Sequence, residues 1–584
     1  MDQLRADMLI NGEIISGKAH CLACMKYIIL KEIKMKKLKK SVTAFLAMSL
    51  LLTAVLSGCA GKENEETKNV QDGGSQNRGK ISVSVYDRGN VPAAEGTIEN
   101  NRWTKWINEN GPVDVEFVAI PRNDSAQKIN VLFASESAPD LIFEYSPATK
   151  TPLYNQKQLM PIDDMIQKYS TVYKNYLEQY PALKKAAAMS DGKMYQFGKL
   201  NSAGPLRAII IRADWLQKLN LDVPKTAEDY YKVARAFAEK DPDGNGKNDT
   251  YGMALSGDAN LTVDQMFQSS SSWLVENNEL VYGWDQIKAK LEFKKRLFDE
   301  GIIDKDYMND NKGAKASQDF VSGKVGIYPA LISNWRDFTV KQYATLKKNV
   351  PEAKLMAIPY AETTFGRFNP TFNNPVQMTA VVNARCKNPE AVMKYVDFIS
   401  SKDTGLALNY GIEGVHYRME SGKPVIIDAE KHKNEVSYNV DFRMLLGINA
   451  MEDYASDTDD FNLNDPIEKE GYEMYKNALK IYLDTSVPYA ELTHSEHMPQ
   501  LPNDLSTINA NINMTDFFDK AVVSGSSYTV DKAMNDAKAA WEKGGGKQIE
   551  DWMKNWYMAD KDKAFLAKDI YDIIDSEKKL SKLK

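Results

Sequence analysis

Short runs of β-branched residues alternate with amphipathic helical stretches in the first quarter of the chain. The runs at 81–87, 113–120 and 140–145 read ISVSVYD, VDVEFVAI and DLIFEY, which is the composition of buried strands. Between them, 102–110 and 124–135 have apolar residues at helical spacing. The order strand, helix, strand, helix, strand predicts an α/β unit in which helices flank a mainly parallel sheet.

A second α/β unit is predicted from RAIIIRADWLQKLNL, where a β run at 207 enters a helix. The next helix is expected after Pro224, because Thr226 can act as its N-cap and Asp229, three residues later, completes an approximate capping box. KVGIYPALISNW, KLMAIPY and TAVVN predict further strands, and the final third of the chain is mostly helical in pattern. A chain of 584 residues can bury a full core in both units.

An apolar run from Val42 to Leu56 follows the lysine-rich segment 36–40 and ends in Leu56-Ser57-Gly58-Cys59. This is the layout of a secretory signal, and the run is short for a membrane-spanning helix. Its last four residues resemble a bacterial lipobox. That resemblance implies that 35–58 is a lipoprotein signal peptide and that Cys59 is lipidated. An ordinary cleaved signal and an uncleaved anchor are the alternatives.

The residues on either side of this signal are not expected to belong to the folded body. Residues 1–34 lie upstream of a complete signal, and we interpret them as a mis-called start. Residues 59–80 are polar and almost without large apolar side chains, so burial cannot offset their chain entropy and they are expected to form a flexible tether. We therefore expect a protein on the extracellular face of the cell membrane, attached to it by the lipid anchor only.

The charge balance argues against a nucleic-acid partner. Lys and Arg number 74 against 80 Asp and Glu, which gives a net charge of -6, and the basic residues are spread along the chain. Nucleic-acid binding depends on clustered positive charge. No nucleic-acid partner is therefore expected.

An acidic loop at 241–249 has the spacing of a calcium site. Oxygen-bearing side chains stand at its positions 1, 3, 5 and 9, a backbone carbonyl is available at position 7, and a glycine stands at position 6. We expect a structural calcium ion here. Gly252 stands at position 12, where a bidentate acid is missing, and a hydrated turn without metal is the alternative. The predicted ligands are Asp241, Asp243, Asn245, Lys247 and Asp249.

Six segments carry a resemblance to known proteins. They are SAPDLIFEY, RADWLQKLNLDVPKTAEDYYKVARAFAEKDPDGNGKNDTYGMA, FVSGKVGIY, NPEAVMKYVDFISS, GIEGVHYR and GGGKQIEDWMKNW. Together they resemble the extracellular solute-binding proteins (family 1) of bacterial ABC importers, in the large oligosaccharide-binding lipoprotein group. The resemblance implies a two-lobed α/β fold of the periplasmic-binding-protein type II, with a hinge between the lobes and a helical C-terminal part. Lobe one is expected at 80–204 and 365–420, and lobe two with the C-terminal helices at 205–364 and 421–584.

Sugar-binding clefts stack pyranose faces on aromatic rings and bind hydroxyl groups with charged and amide side chains. We therefore select aromatic and polar residues at strand ends and near the expected crossings between lobes. Packing in the core or a solvated surface is the alternative for each of them. The predicted ligand-binding residues are Tyr86, Asp87, Arg88, Arg122, Asn123, Tyr145, Trp273, Trp335, Arg367, Phe372 and Tyr417.

The resemblance implies a binding protein that captures a carbohydrate, as an oligosaccharide, and delivers it to an ABC permease and its ATPase. A surface-anchored carbohydrate-active enzyme and a surface binding protein without a transport role are the alternatives. A retaining glycosidase needs two carboxyl groups about 5 to 5.5 Å apart, which acidic residues adjacent in sequence do not supply. The chain has no Gly-x-Ser-x-Gly elbow, Walker loop or dinucleotide fingerprint, so no enzymatic activity is expected.

Overall fold

The computed structural model of this protein describes residues 78–269, 272–332, 335–447, 461–490, 492, 499 and 501–575. They belong to one structural unit, Gln76–Lys584. The predicted signal peptide, Cys59 and most of the predicted tether lie outside the described residues.

The strands of the described residues form two open sheets and two hairpins. The first sheet has the order β2-β1-β3-β11-β4, the second has the order β10-β5-β9-β6, and the hairpins are β7-β8 and β12-β13. The strands are β1 (Lys80–Asp87), β2 (Asp114–Pro121), β3 (Leu141–Phe143), β4 (Gln196–Leu200), β5 (Arg207–Arg212), β6 (Tyr251–Met253), β7 (Trp273–Glu276), β8 (Glu279–Tyr282), β9 (Val325–Leu331), β10 (Leu355–Ile358), β11 (Val376–Val382), β12 (Tyr417–Glu420) and β13 (Lys423–Ile426).

Both sheets are mixed, which corrects part of the sequence prediction. β1 is parallel to β2 and β3, as predicted, but β11 is antiparallel to its neighbours β3 and β4. In the second sheet β9 is parallel to β6, whereas β5 is antiparallel to β9 and β10. β11 enters the first sheet directly from the second, without the crossover helix that would return it parallel to its neighbour.

Helices flank the sheets and account for most of the chain after β13. They are α1 (Arg102–Asn110), α2 (Ser125–Ala134), α3 (Pro147–Asn155), α4 (Asp163–Tyr169), α5 (Val172–Gln179), α6 (Ala182–Ala187), α7 (Ala213–Leu219), α8 (Ala227–Glu239), α9 (Asp258–Met266), α10 (Trp284–Asp299), α11 (Ala314–Val321), α12 (Trp335–Phe338), α13 (Ala344–Asn349), α14 (Pro389–Ile399), α15 (Lys402–Tyr410), α16 (Ala429–Glu435), α17 (Pro466–Tyr482), α18 (Asn503–Asn511), α19 (Thr515–Val523), α20 (Val530–Lys543), α21 (Gly546–Asp560) and α22 (Ala567–Ile574). One π-helical turn, Thr339–Tyr343, joins α12 to α13.

The start of α8 matches the capping box expected from the sequence. The Thr226 hydroxyl accepts the N–H of Asp229 at 3.1 Å, and the Asp229 carboxylate accepts the N–H of Thr226 at 3.0 Å. These two bonds satisfy N–H groups that have no partner within the helix. The buried face of α8, which includes Tyr230 and Phe237, then packs into the core of the second sheet.

Two segments connect the sheets and pair with each other. Residues 201–206 lead from β4 to β5, and residues 359–375 return from β10 to β11. The N–H of Leu206 donates to the carbonyl of Thr371 at 3.0 Å, and two further backbone hydrogen bonds, Asn373 to Gly204 and Asn201 to Pro375, join the segments on the side of the first sheet. Each sheet is therefore the centre of one lobe, as the sequence resemblance implies. Paired crossings of this kind suit a hinge, since a few connecting residues can absorb the change in backbone angles.

The C-terminal region is shared between the lobes, whereas the sequence assigns all of it to lobe two. Residues 429–446 pack on lobe one, where the Thr379 hydroxyl of β11 donates to the carbonyl of Met444 at 2.9 Å. α17 packs on lobe two, where the Tyr482 hydroxyl donates to the carbonyl of Ile358 at 3.0 Å. Long-range hydrogen bonds of this kind leave no trace in local sequence pattern.

The strands at the centre of the two sheets are fully buried. Ile209, Ile210 and Ile211 of β5 and Val381 and Val382 of β11 are inaccessible to solvent. Strands covered on both faces read as continuous apolar runs, which explains why RAIIIR and TAVVN stand out in the sequence. In the part of the chain described above, no helix combines the length and the apolar character needed to cross a membrane.

Thr226→Ala is expected to lower the free energy of unfolding by about 1 kcal/mol, because it removes the acceptor for the N–H of Asp229. Thr226→Ser keeps the hydroxyl and should remain close to the wild type. Urea unfolding followed by circular dichroism measures both variants. An equal loss in the two would assign the effect to the threonine methyl group instead of the cap.

Candidate functional site

Three strands of lobe one end at the same edge of the sheet and bring two tyrosines together. Tyr86 is the penultimate residue of β1, and Tyr145 follows β3 by two residues. Because β1 and β3 are parallel neighbours, their carboxyl ends lie side by side. The two rings stack with their centroids 5.8 Å apart and their planes inclined by 19°. Tyr86 is buried and Tyr145 is half-buried, so Tyr145 is the ring that a ligand can reach.

Arg122 covers both rings. It follows β2, the other parallel neighbour of β1, and its guanidinium carbon lies 4.7 Å from the ring centre of Tyr86 and 5.4 Å from that of Tyr145. Such cation–π contacts hold a guanidinium in place without neutralising its charge. Among the described residues, Arg122 has no carboxylate within ion-pair distance.

A cavity of about 520 Å³ opens beside this stack. It lies between the carboxyl ends of β2 and β3 and the first turns of α2 and α3, which is where α/β proteins commonly bind ligands. Amide, hydroxyl and charged side chains dominate its wall. The lining residues are Arg122, Asn123, Asp124, Ser125, Ala126, Gln127, Glu144, Tyr145, Ser146 and Thr149.

Glu144 and Lys150, near the stack, are both buried, and each makes a hydrogen bond to the backbone. Glu144 is 1% exposed, and its carboxylate accepts the N–H of Ser146 at 2.7 Å. Lys150 is also 1% exposed and donates to the carbonyl of Met378 at 2.7 Å. Burial lowers the pKa of Lys150 to about 7, although the nearby charge of Glu144 opposes this shift. Burial and Glu144 together raise the pKa of Tyr86, which therefore stays protonated.

An ion pair between Arg88 and Asp441 ties residues 437–443 to the strand ends. Arg88 donates two hydrogen bonds to Asp441, at 2.7 and 2.9 Å. The Asp441 side chain is only 1% exposed, so both of its oxygens are committed to this bidentate pair. Next to it, the ring of Phe442 packs edge-on against Phe117 of β2 at 5.2 Å.

A smaller cavity of about 340 Å³ lies on another side of Tyr145. β4 contributes Lys199 to it, α15 contributes Asn409, and the segment after Phe442 contributes Arg443. Arg443 donates to the side-chain oxygen of Asn409. The lining residues are Tyr145, Lys199, Asn409, Val440, Arg443, Leu446 and Gly447.

Six of the eleven residues selected from the sequence lie around this edge of lobe one. Asp87 is exposed at the end of β1, where its carboxylate accepts the N–H of Gly89 at 2.9 Å. Asn123 lines the larger cavity. The six residues are Tyr86, Asp87, Arg88, Arg122, Asn123 and Tyr145.

Two of the remaining five are core residues in the structure and not exposed stacking surfaces. Trp335 is 5% exposed and packs against Tyr475 with ring centroids 5.7 Å apart. Phe372 is 1% exposed and packs against Tyr571 at 5.6 Å. Neither ring presents a face to solvent, because large apolar side chains are also the ones that fill a core.

The last three contact other parts of the molecule. Tyr417 is buried in β12, 6.0 Å from the ring of Tyr410. Trp273 is half-buried in the β7–β8 hairpin and belongs to a separate aromatic cluster that includes Trp541. Arg367 is half-buried in the crossing 359–375, and its charge contributes to lowering the pKa of Asp484.

Lys199, Asp441 and Arg443 also lie at this edge of lobe one and are not among the residues predicted from the sequence. A usable signal existed for Lys199. It is the penultimate residue of β4, and β4 runs parallel to β3 because both are antiparallel to β11. The rule that selected Tyr86 would therefore have selected Lys199 once this pairing was known. The other two lie in a region that the sequence assigns to lobe two.

In the acidic loop at 241–249, Asn245 makes hydrogen bonds to the other four predicted ligands. The backbone N–H of Asn245 donates to Asp241 at 3.1 Å, and its side-chain amide donates to Asp243 at 2.8 Å and to Asp249 at 3.0 Å. The N–H of Lys247 donates to the side-chain oxygen of Asn245 at 2.7 Å. Three carboxylates and one amide are therefore drawn together, which is the donor chemistry that calcium prefers.

The close approach of the carboxylates shifts the pKa values of Asp241 and Asp243 in opposite directions. A hydrogen bond with Asp243 lowers the pKa of Asp241, while burial and Asp241 raise the pKa of Asp243. The ammonium of Lys324 lies 3.2 Å from Asp249 and offsets part of the negative charge. Within the described residues, no group of three or more His, Cys, Asp or Glu side chains has the arrangement of a metal site as it stands.

Comparison with known proteins identifies a family. A family model described as bacterial extracellular solute-binding protein matches residues 94–405, more than half of the chain. Lipoprotein LipO of Bacillus subtilis is 26% identical over 425 residues, which are 67% of this chain and 76% of LipO. The polygalacturonan/rhamnogalacturonan-binding protein YtcQ of the same organism is 24% identical over 524 residues, which are 86% of this chain and 96% of YtcQ.

Solved structures share the two-lobed architecture. An "HMO binding" solute-binding protein associated with an ABC transporter of Bifidobacterium longum infantis superposes with a TM-score of 0.60 at 17% identity, over 82% of this chain and 99% of that chain. The EF-hand mutant of the Streptococcus pneumoniae substrate-binding protein FusA, in complex with fructo-nystose, superposes with a TM-score of 0.54 at 18% identity, over 82% and 98%. At these identities the likeness concerns the fold.

Proposed function

The chain belongs to the bacterial extracellular solute-binding proteins, and from that premise we propose that it captures an oligosaccharide and delivers it to an ABC importer. The observation that carries the proposal is the stack of Tyr86, Tyr145 and Arg122 beside a cavity of about 520 Å³. The named sugar-binding function of the relative YtcQ, which is aligned over 96% of its length, supports a carbohydrate as the solute.

The chemistry of the cavity suits a sugar. The half-buried ring of Tyr145 offers an apolar face of the kind that packs against a pyranose ring. The amides of Asn123 and Gln127 and the hydroxyls of Ser146 and Thr149 line the same cavity and can exchange hydrogen bonds with sugar hydroxyl groups. These neutral groups discriminate between ligands by hydrogen bonding, since an unmatched polar group in a desolvated site is costly.

The two-lobed architecture provides for delivery of the bound ligand through closure of the lobes. The crossing 201–206 pairs with residues 371–375 of the returning crossing, and the two crossings join lobes with separate sheets. A ligand that contacts both lobes favours the closed arrangement, because it binds that state more tightly. We propose that the closed protein docks on a membrane permease, whose ATPase then drives import.

The proposed role is binding without turnover. The relatives described above are named as binding proteins or lipoproteins. Glu144, a carboxylate near the stack, is 1% exposed and lies close to the buried Lys150, which suits a supporting role in the site better than proton transfer to a ligand. The enzymatic alternative would be favoured by release of shorter sugars from the bound oligosaccharide.

The proposed location is the outer face of the cell membrane, with Cys59 as the lipidated first residue of the mature chain. The lipobox at Leu56–Cys59 and the name of lipoprotein LipO support this assignment. The polar segment 59–80 would then give the folded lobes reach from the membrane surface.

A structural calcium ion is proposed for the loop 241–249. Asp241, Asp243, Asn245 and Asp249 would hold it, together with the backbone carbonyl of Lys247. Calcium would relieve the mutual repulsion of these carboxylates and stabilise the link between α8 and β6. The Asn245 side chain would have to turn so that its oxygen, and not its amide N–H, faces the ion. The loop does not line either cavity of lobe one, so the ion has no direct contact with the sugar.

Tyr145→Ala is expected to weaken oligosaccharide binding by about tenfold or more, because an aromatic contact contributes up to about 1.5 kcal/mol beyond its buried area. Isothermal titration against a panel of oligosaccharides measures the affinity, and chromatography of the recovered sugar should show it intact. Tyr169→Ala is the control, since Tyr169 is exposed on α4 away from the site. Unchanged affinity in Tyr145→Ala would remove the stack from the binding site.

Cys59→Ser is expected to release the protein from the membrane fraction and to abolish labelling with fatty acid. The physical reason is that the lipid chains supply the membrane affinity and the folded body does not. Fractionation of a lipoprotein-processing bacterium that expresses both forms measures the distribution. Full membrane association of the variant would identify the apolar run itself as the anchor.

Calcium is expected to raise the melting temperature, and chelation to lower it, because an ion that binds only the folded state stabilises it by mass action. Asp243→Asn should remove this calcium dependence. Asp164→Asn, which changes an exposed carboxylate on α4, should retain it. Identical melting curves of the wild type with calcium and with chelator would contradict the proposed site.

A further inference from the structure

The half-buried ring of Tyr145 separates two cavities that differ in charge. The larger one contains both acidic and basic groups, including Asp124, Glu144 and Arg122. The smaller one contains Lys199 and Arg443, and none of the described residues that line it carries a carboxylate. The described lining of the smaller cavity therefore carries positive charge without a carboxylate to balance it.

Lys199 has no partner among the described residues. It is half-buried near the end of β4, and within that part of the chain its ammonium makes no hydrogen bond and no ion pair. Burial and the neighbouring Arg443 lower its pKa to about 8, which is the behaviour of an ammonium that has lost water without gaining an anion. Proteins seldom bury a lysine in this way unless something else balances it.

Arg443 is only partly balanced. Its hydrogen bond to Asn409 is to a neutral amide oxygen. The charge of Asp441 acts on it from nearby, but both carboxylate oxygens of Asp441 are already hydrogen-bonded by Arg88. One carboxylate thus lies close to two guanidinium groups, and the cavity keeps a positive excess from Lys199 and Arg443.

None of the other described charged residues at this edge of lobe one lines the smaller cavity. Asp124 and Glu144 line the larger one, and Asp87 lines neither. Arg122 also belongs to the larger cavity, where it lies over the rings of Tyr86 and Tyr145. Tyr145 therefore has cations beside it in both cavities, Arg122 in the larger one and Lys199 with Arg443 in the smaller one.

We propose that the cavity between Lys199 and Arg443 receives an anionic group of the sugar whose ring packs on Tyr145. This inference rests on the proposed function and specifies its ligand as an acidic oligosaccharide. The guanidinium fork of Arg443 matches two oxygens of one anionic group, and the ammonium of Lys199 adds a point charge. A uronic-acid carboxylate and a sulfate ester share this chemistry.

The test uses two pairs of ligands, and within each pair the backbone is the same and only the charge differs. Trigalacturonate, its fully methyl-esterified form, a sulfated galacto-oligosaccharide and a neutral galacto-oligosaccharide are titrated against the full chain. We expect an anionic form to bind at least about tenfold more tightly than the esterified and neutral forms, since a charge-assisted hydrogen bond is lost in the latter. Preference for trigalacturonate or for the sulfated sugar identifies which anion the cavity takes.

Variants localise the effect. Lys199→Gln is expected to weaken binding of the preferred anionic sugar about tenfold while leaving the neutral sugar unchanged, and Lys199→Arg should restore most of the affinity. Lys184→Gln is the matched control, because Lys184 is an exposed lysine of lobe one on α6 that lines neither cavity. Melting temperatures confirm that each variant is folded.

The outcomes separate this inference from the proposed function. Tight binding of neutral sugars with no preference for the anionic forms, or equal affinity of the wild type and Lys199→Gln for the anionic form, would overturn the anionic subsite and leave an oligosaccharide-binding protein. Failure of every sugar in a broad panel to bind would overturn the proposed function itself.

Discussion

The parallel pairing of β1 with β2 on one side and β3 on the other is the constraint on which the site depends. The register pairs Asp87 with Pro121 and Val83 with Leu141, so three strands end at one edge of the sheet. That edge places Tyr86, Arg122 and Tyr145 in contact. Side chains alternate between the faces of a strand, so a slip of one residue in β1 would turn Tyr86 to the opposite face and dissolve the stack.

Electrostatics then decide what this edge can bind. Glu144 and Lys150 are both buried beside the stack, and the charge of Glu144 opposes the lowering of the Lys150 pKa by burial. Arg88 donates to both oxygens of Asp441 and thereby fastens residues 437–443 to the strand ends. Removing one partner of a buried ion pair is costly, so this pair holds in place the segment that carries Arg443. The smaller cavity is left with Lys199 and Arg443, whereas the larger one combines Arg122 with Asp124 and Glu144.

The local elements were largely predictable, and the distinction between core and site was not. The capping box of Thr226 and Asp229, the first three strands and the helices between them follow from short-range patterns. The strand-end rule also gathered six residues that do lie together. For Trp335 and Phe372 the large aromatic ring was the main reason for selection, and the structure buries both rings in the core. A large ring looks the same in a sequence whether a ligand or the core covers it.

By itself, the sequence determined the elements that depend on neighbours in the chain: buried strands as apolar runs, helix starts as caps, and the loop 241–249 as a set of regularly spaced oxygen donors. Tertiary structure alone decided that Lys199, Tyr145 and Arg443 share a cavity, and that 429–446 belongs with lobe one. The physical reason is the sequence separation over which each interaction acts. Periodicity and capping act over a few residues. The residues that a side chain contacts depend instead on the strand order of a mixed sheet and on hydrogen bonds between segments far apart in the chain.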